Sequence, residues 1–276
     1  MDRIRLIASD MDATLLDEQS QLPADFEETI HALAELGIRF APASGRPLYT
    51  LEAMFPTLQD ELVFIGDNGG AIRWKGQNLF TSEMSPEGWR ALNRLTREQG
   101  DIAVLCGLES AYVERPFAVH DAVLRHFYTK IEYVDRLEDV TAPADKFTIY
   151  LPQHNAQQAY DTVYASQRSI YSVAVAGECW VDIMNPGVHK GAALQALGQL
   201  WGLPSESMMA FGDTYNDAEM LCTAKYGFLM ENGSVPLRQK VPFLAPSHRE
   251  AGVMQVLRRV LAQNGCVCPE DFIPAH

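Results

Sequence analysis

Asp10 and Asp12 stand two residues apart in DMDATLLDE, directly after the apolar run IRLIA at 4–8. Like charges so close repel each other, and a plain strand end gains nothing from the pair. At this spacing an extended backbone sends both carboxylates to one side. Two such groups can hold a hard cation such as Mg2+, which prefers oxygen ligands. Alternatively, one can attack phosphorus while the other shuttles a proton. For two aspartates alone, a helix N-cap or a loop acid is an equally open explanation.

Three further stretches could join them. Ser44, in ASGRP, offers a hydroxyl and fresh backbone N–H groups just before a helix start, the makings of an anion cradle. Serine is also a common structural N-cap, so the cradle is one of two readings. Lys190 opens an expected helix, where the macrodipole disfavours a cation. A bound anion or neighbouring carboxylates would compensate; taken alone, an exposed surface lysine explains it as well. GDTYND (212–217) follows an apolar run and supplies Asp213 and Asp217, with Asp213 expected level with Asp10. Acids repeated at strand ends, with one lysine and one serine, together make a hard-metal and phosphate site.

The elements that must position these groups read as follows. IRLIA is a buried strand, and LPADFEETIHALAELGI (22–38) is a helix with Pro23 in its first turn and Gly37 at its stop. IRFAPAS (38–44), a helix from SGRPLYTLEAMF, and a strand in ELVFIGDNGG continue the alternation of a parallel α/β sheet. AIRWKGQNLF (71–80) predicts a hairpin turning at Lys75-Gly76-Gln77. From 83 to 184, strands such as IAVLC, KFTIYL and SIYSVAV mix with the helices PEGWRALNRLTREQG and NAQQAYDTVYASQ. That stretch reads as a second α/β module inserted between the halves of the first, 1–82 and 185–276. A helix at 190–201, a buried strand SMMAFGD, short strands at GFLM and PFLA, and a helix at EAGVMQVLRRVL complete the first module.

Composition limits the partners. The 276 residues carry 22 Lys and Arg against 36 Asp and Glu, a formal net charge of −14, which argues against nucleic acid and anionic membranes. An anionic substrate would be repelled by that field, so its site must be built locally. The odd set Cys106, Cys179, Cys222, Cys266 and Cys268 is no disulfide framework, and the lone CxC at 266–268 lacks a second pair for a closed zinc site. Without a signal-like N-terminus or a long apolar span, a soluble cytoplasmic protein is expected. Oligomeric state is not legible.

The ordered set DMDATLL, ASGRP, Lys190 and GDTYND resembles the haloacid dehalogenase superfamily. DNGG (67–70) matches its Cof-type branch, which inserts a large α/β cap after the third core strand. The resemblance spans nearly the whole chain. It implies a doubly wound, Rossmann-like core with an inserted cap, and a Mg2+-dependent phosphatase acting on small phosphorylated metabolites such as sugar phosphates or phosphorylated cofactors. It also implies that Asp10 is the nucleophile forming an aspartyl-phosphate and Asp12 the general acid and base. Phosphate ligands map to Ser44, the Gly45 amide and Lys190, with Asn216 beside them. Mg2+ ligands map to Asp10, the Asp12 main-chain carbonyl and Asp213, with Asp217 and Asn216 in support. Ala13 stands where the family has glycine; alanine resists positive φ, so a slightly reshaped turn is expected. ENGSVP also departs from the family's Gly-Asn-Ala. A sugar phosphomutase of the same superfamily, or a non-catalytic receiver-like module phosphorylated on aspartate, are the alternatives.

Overall fold

The computed structural model describes residues 1–276. A nine-stranded sheet forms the larger body, in the order Ile273–Pro274, Phe243–Ala245, Tyr226–Met230, Met208–Gly212, Leu6–Asp10, Arg39–Ala43, Val63–Gly66, Ala71–Trp74, Gln77–Thr81. The six strands from Phe243–Ala245 to Val63–Gly66 pair in parallel, and antiparallel strands close both edges. Leu6–Asp10 has Arg39–Ala43 on one side and Met208–Gly212 on the other. Strand order therefore reverses at Asp10, and α/β sheets bind ligands in the crevice at such a switch point.

Alternation in the buried strands feeds two cores. Ile7, Phe40 and Phe64 face the helices Phe26–Glu35 and Gly252–Ala262, while Leu6, Ala8 and Ile65 face Lys190–Trp201 and Ala218–Thr223. The first helix is shorter than the expected 22–38. Its start shifts to Phe26 because Pro23, Ala24 and Asp25 form a turn closed by the Phe26 N–H on the Pro23 carbonyl at 3.0 Å. Gly37, at φ 72°, ends it as expected. The hairpin turn falls at Lys75-Gly76, between Ala71–Trp74 and Gln77–Thr81.

Between Thr81 and Met208 the chain builds a six-stranded sheet in the order Ser172–Ala176, Trp180–Met184, Ala144–Tyr150, Ile102–Gly107, Ala111–Glu114, Ile131–Val134. All its pairs are antiparallel except the last. The helices Pro86–Gln99 and Ala156–Asp161 cover one face, through Trp89, Leu92, Phe147 and Ile183. Ser85 caps the first of them by accepting the Gly88 N–H at 3.1 Å. The second is only six residues long, not the run through 167 that NAQQAYDTVYASQ suggests. Thr162 and Val163, β-branched and poor in helices, follow its end. The other face carries Tyr150, Trp180 and Cys106 and looks toward the nine-stranded sheet. All five cysteines are free, and no helix is long and apolar enough to cross a membrane.

Candidate active site

The opening strand delivers Asp10, 8% exposed, to the switch point. Lys190, fully buried, donates to Asp10 Oδ1 and, at 2.7 Å, to Asp217 Oδ1. Those two carboxylates are the compensation that a lysine at a helix N-terminus requires. His189, which offers no such signal in the sequence, caps the helix by accepting the Ala192 N–H on Nδ1 at 3.1 Å. Asp213 follows the strand Met208–Gly212. Asp217 closes the turn after it, accepting the N–H groups of Asp213 and Thr214 on Oδ2 at 3.0 and 3.1 Å. Gly212 permits this: a Cβ there would lie 2.4 Å from that of Asp217.

Charge is unbalanced at this point. Ligand oxygens of Asp10, Asp213 and Asp217 lie within 4.8 Å of one another, against the single ammonium of Lys190. Burial, and then the Asp217 charge, push Asp10 up to about 8. The same two causes push Asp213 up to about 6. Burial would depress Lys190, but Asp10 and Asp217 outweigh it and hold the ammonium above its ordinary value. An all-oxygen, negatively overcharged cluster suits a hard divalent cation. Asp217 already spends both oxygens on Lys190 and the turn, so it supports this set while Asp10 and Asp213 face it. The Asp12 carboxylate is not in the cluster; it is 55% exposed and pairs with Arg46 at 2.8 Å.

Ser44, which follows Arg39–Ala43, is buried, and its Oγ accepts the Arg46 N–H at 3.1 Å. Asn68 reaches over this loop: its N–H donates to the Ser44 carbonyl at 2.9 Å, and a Cβ on Gly45 would meet its side chain at 3.3 Å. Asp67 and Asn68 both adopt positive φ, 50° and 55°, a costly pair of conformations that aims Asn68 at this loop. Asn216 places Nδ2 3.4 Å from Asn68 Oδ1 and leaves its own buried Oδ1 without a partner.

Ala13 takes φ 58°, ψ 14°. The turn is therefore not relieved into negative φ as the alanine suggests; it keeps a left-handed residue. Asn232, in ENGSVP, holds it by donating to the Ala13 carbonyl at 2.9 Å and accepting the His248 N–H at 3.0 Å.

Asp10, Asp12, Asp213, Ser44, Asn68 and Asn216 line one cavity of about 700 Å3, with Lys190 and Asp217 buried behind them; its opposite wall comes from Lys146, Thr148, Asp182 and Trp180 of the six-stranded sheet and from Phe127 and Tyr128 at the end of the helix Asp121–Phe127. Lys146 and Asp182 were not singled out from sequence. Asp182 does leave a signal, an acid in the middle of the apolar strand WVDIM.

A family model described as haloacid dehalogenase-like hydrolase matches residues 7–257. The 5-amino-6-(5-phospho-D-ribitylamino)uracil phosphatase YbjI of Escherichia coli is 32% identical over 262 residues, 94% of this chain and 96% of that protein. The HMP-PP phosphatase of Cronobacter sakazakii is 32% identical over 249 residues, 87% of this chain and 89% of the other. Among solved structures, SMU.1108c of Streptococcus mutans superposes with a TM-score of 0.85 at 29% identity, covering 94% of this chain and 99% of that one.

Proposed function

The chain belongs to the haloacid dehalogenase-like hydrolases, and on that premise we propose a Mg2+-dependent phosphatase of small phosphorylated metabolites that works through an aspartyl-phosphate on Asp10. The observation that carries this reading is Asp10 at the switch point, fixed by Lys190 and facing Asp213 across the cavity that Ser44 and Asn216 also line.

In the first step a free oxygen of Asp10 attacks phosphorus, and the ester P–O bond breaks. Asp12 gives the leaving oxygen its proton; its half-exposed position and its pairing with Arg46 leave it at the mouth of the cavity, where an alcohol departs. In the second step Asp12 takes a proton from water, water oxygen attacks phosphorus, and Asp10 is released. Ser44 Oγ, the Gly45 amide and Lys190 hold the equatorial oxygens as charge spreads over them, with Asn216 alongside. Lys190 also steers Asp10 by engaging Oδ1. Mg2+ would be held by Asp10, Asp213 and the Asp12 main-chain carbonyl, with Asp217 in support, and would offset the repulsion between carboxylate and phosphate dianion. The acidic chain thus recruits the cation that its anionic substrate needs. Residues 83–184 serve as the cap.

The test is phosphate release from a panel of phosphorylated metabolites, with and without Mg2+, for the wild type and Asp10→Asn. Magnesium-dependent release that the variant lacks is expected. An isomerised phosphate ester without free phosphate would favour the mutase, and one stable phosphate per chain the receiver-like module.

A further inference from the structure

Asp182, Asn68 and Asn216 form a hydrogen-bonded line from the six-stranded sheet to the turn that holds Asp213 and Asp217. Asp182 lies on Trp180–Met184, Asn68 in the loop after Val63–Gly66, and Asn216 between the two aspartates of GDTYND. Chemistry fixes the direction of this line, because a carboxylate only accepts while a carboxamide has a donor end and an acceptor end. Asp182 takes the Thr148 hydroxyl on Oδ1 at 2.7 Å and the Asn68 amide on Oδ2 at 3.0 Å. The Lys146 ammonium lies 3.7 Å from the same Oδ2. Two donors and a cation around it keep Asp182 an acceptor. Asn68 must therefore turn Nδ2 toward Asp182, which leaves its Oδ1 for the other side. There Asn216 Nδ2 donates to it at 3.4 Å. Reversing the Asn68 amide would set oxygen against oxygen at Asp182 and nitrogen against nitrogen at Asn216. Asn68 has little room to move away: it is buried, its main-chain N–H donates to the Ser44 carbonyl, and its side chain lies against Gly45.

The line ends on an acceptor. With Nδ2 turned to Asn68, Asn216 keeps a buried Oδ1 that has no hydrogen-bond partner. Buried polar atoms are nearly always satisfied, so this oxygen calls for a partner. Asp213 and Asp217, in the same turn, bring only further acceptors with their side chains. Asn216 also lines the same cavity as Asp10 and Asp213. What a cluster of oxygens can share is a hard cation, or the water that such a cation holds. We infer that Asp182 and Asn68 are positioning residues for the cation: the Asp182 carboxylate fixes the Asn68 amide, that amide fixes Asn216, and Asn216 Oδ1 is presented to Mg2+ or to its bound water. This rests on the Mg2+-dependent phosphatase reading above. Because the first member of the line belongs to the cap, the cation site is complete only when the cap is docked. By reciprocity, the cation favours the docked cap.

The experiment is titration calorimetry of the full chain with Mg2+ alone, without substrate. Asp182→Leu deletes the acceptor that starts the line. Asn68→Gly deletes the amide in its middle and suits the positive φ of that position. Each should weaken Mg2+ binding about tenfold or more, the scale of losing the support of a metal ligand. The Mg2+ concentration for half-maximal phosphate release from p-nitrophenyl phosphate should rise with it. Asp182→Asn is the conservative rescue: its oxygen can still accept from Asn68 while its nitrogen donates to Thr148, so the affinity should stay close to that of the wild type. Asn216→Ala should weaken binding as the first two variants do, and adding Asp182→Leu to it should change little more, because members of one line fail together. A general loosening of the fold would instead add its own cost in the double variant. Should Asp182→Leu fail to fold, Asn68→Gly in its place gives the same cycle. Wild-type affinity in the variants that break the line, or costs that add in the double variant, overturn the inference while the phosphatase stands. A wild type that binds no Mg2+ overturns the cation reading itself, and the inference with it.

Discussion

Lys146, on a strand of the six-stranded sheet, donates its ammonium to the main-chain carbonyl of Gly45, in the loop of the nine-stranded sheet that carries Ser44. The same nitrogen lies 3.0 Å from Asp67 Oδ1, at ion-pair distance without hydrogen-bond alignment, and 3.7 Å from Asp182 Oδ2. One sealed cation thus ties both sheets together at the loop proposed to hold phosphate.

Lys146→Met keeps much of the side chain's volume and removes the charge, leaving Asp67 and Asp182 buried without their cation. Breaking a buried pair from one side costs about 3–5 kcal/mol. Urea unfolding should register a loss of that size, and Asp67→Asn in the same chain should return part of it. An unchanged midpoint for the single variant would strip the network of its role in joining the sheets.

Asp145 lies beside Asp67, fully buried, and neither of its oxygens accepts a hydrogen bond. Burial, followed by the charge on Asp67, raises its pKa well above the ordinary carboxylate value. Burial raises Asp67 too, with Lys146 pulling it back, so a protonated Asp145 can donate to an ionised Asp67. Above the unfolded-state pKa of about 4, folding must then take up a proton. Stability falls as pH rises, by up to about 1.4 kcal/mol per pH unit for such a group, until the folded-state pKa is passed. Asp145→Asn has no such linkage. The melting temperature of the variant minus that of the wild type should therefore grow from pH 5 to pH 8, and a gap that is constant or shrinks would mean that Asp145 is ionised in the fold.

The two aspartates that open the chain should separate by leaving group. Asp10→Asn removes the carboxylate proposed to attack and should lower kcat by at least about 10³-fold on every ester, with the circular dichroism spectrum intact. Asp12→Asn removes only proton transfer, worth about 10²–10⁴-fold. Its deficit should be large on an alkyl phosphate and small on p-nitrophenyl phosphate, whose leaving group needs no proton. Equal deficits on both would assign Asp12 to positioning rather than acid catalysis.

Much of this site was legible because each proposed catalytic residue sits where a local signal ends. Asp10, Ser44 and Asp213 each follow an apolar run that the structure makes a parallel strand, and chain order alone sets them at the strands' carboxyl ends. Lys190 was legible through a conflict, a cation at a helix start. Lys146, Asp145 and Asp182 were not, since their partners are 101, 78 and 114 residues away (Gly45, Asp67 and Asn68) and only the docking of one sheet on the other joins them. The end of Ala156–Asp161 and the late start of Phe26–Glu35 are hidden for a local reason, as apolar periodicity extends across residues whose backbones form turns.

Asp213→Asn tests the cation. The substitution keeps the shape of the turn but removes one of the two carboxylates that face the cluster. The Mg2+ concentration giving half-maximal activity should rise about tenfold or more, in line with the loss of a ligand or its close support. Titration calorimetry with Mg2+ alone, without substrate, should show the same weakening. Unaltered magnesium affinity in the calorimeter would move the cation away from Asp213.

Ala13 offers a test of local strain. A non-glycine residue at φ 58° carries about 1–2 kcal/mol of steric cost, which glycine escapes. Glycine also gains freedom in the unfolded chain, which returns part of the benefit, so Ala13→Gly should stabilise by about 0.5–1 kcal/mol. For a chain of this size that is about 1–4 °C in melting temperature. Asn232 grips the Ala13 carbonyl and not its side chain, so the clamp survives the substitution. Asn232→Ala, by contrast, should lower the melting temperature, and more in the glycine variant, whose turn has no side chain to restrict it. A glycine variant that melts below the wild type would mean that the clamp does not compensate for the added freedom, and that alanine at this position serves rigidity next to the proposed nucleophile.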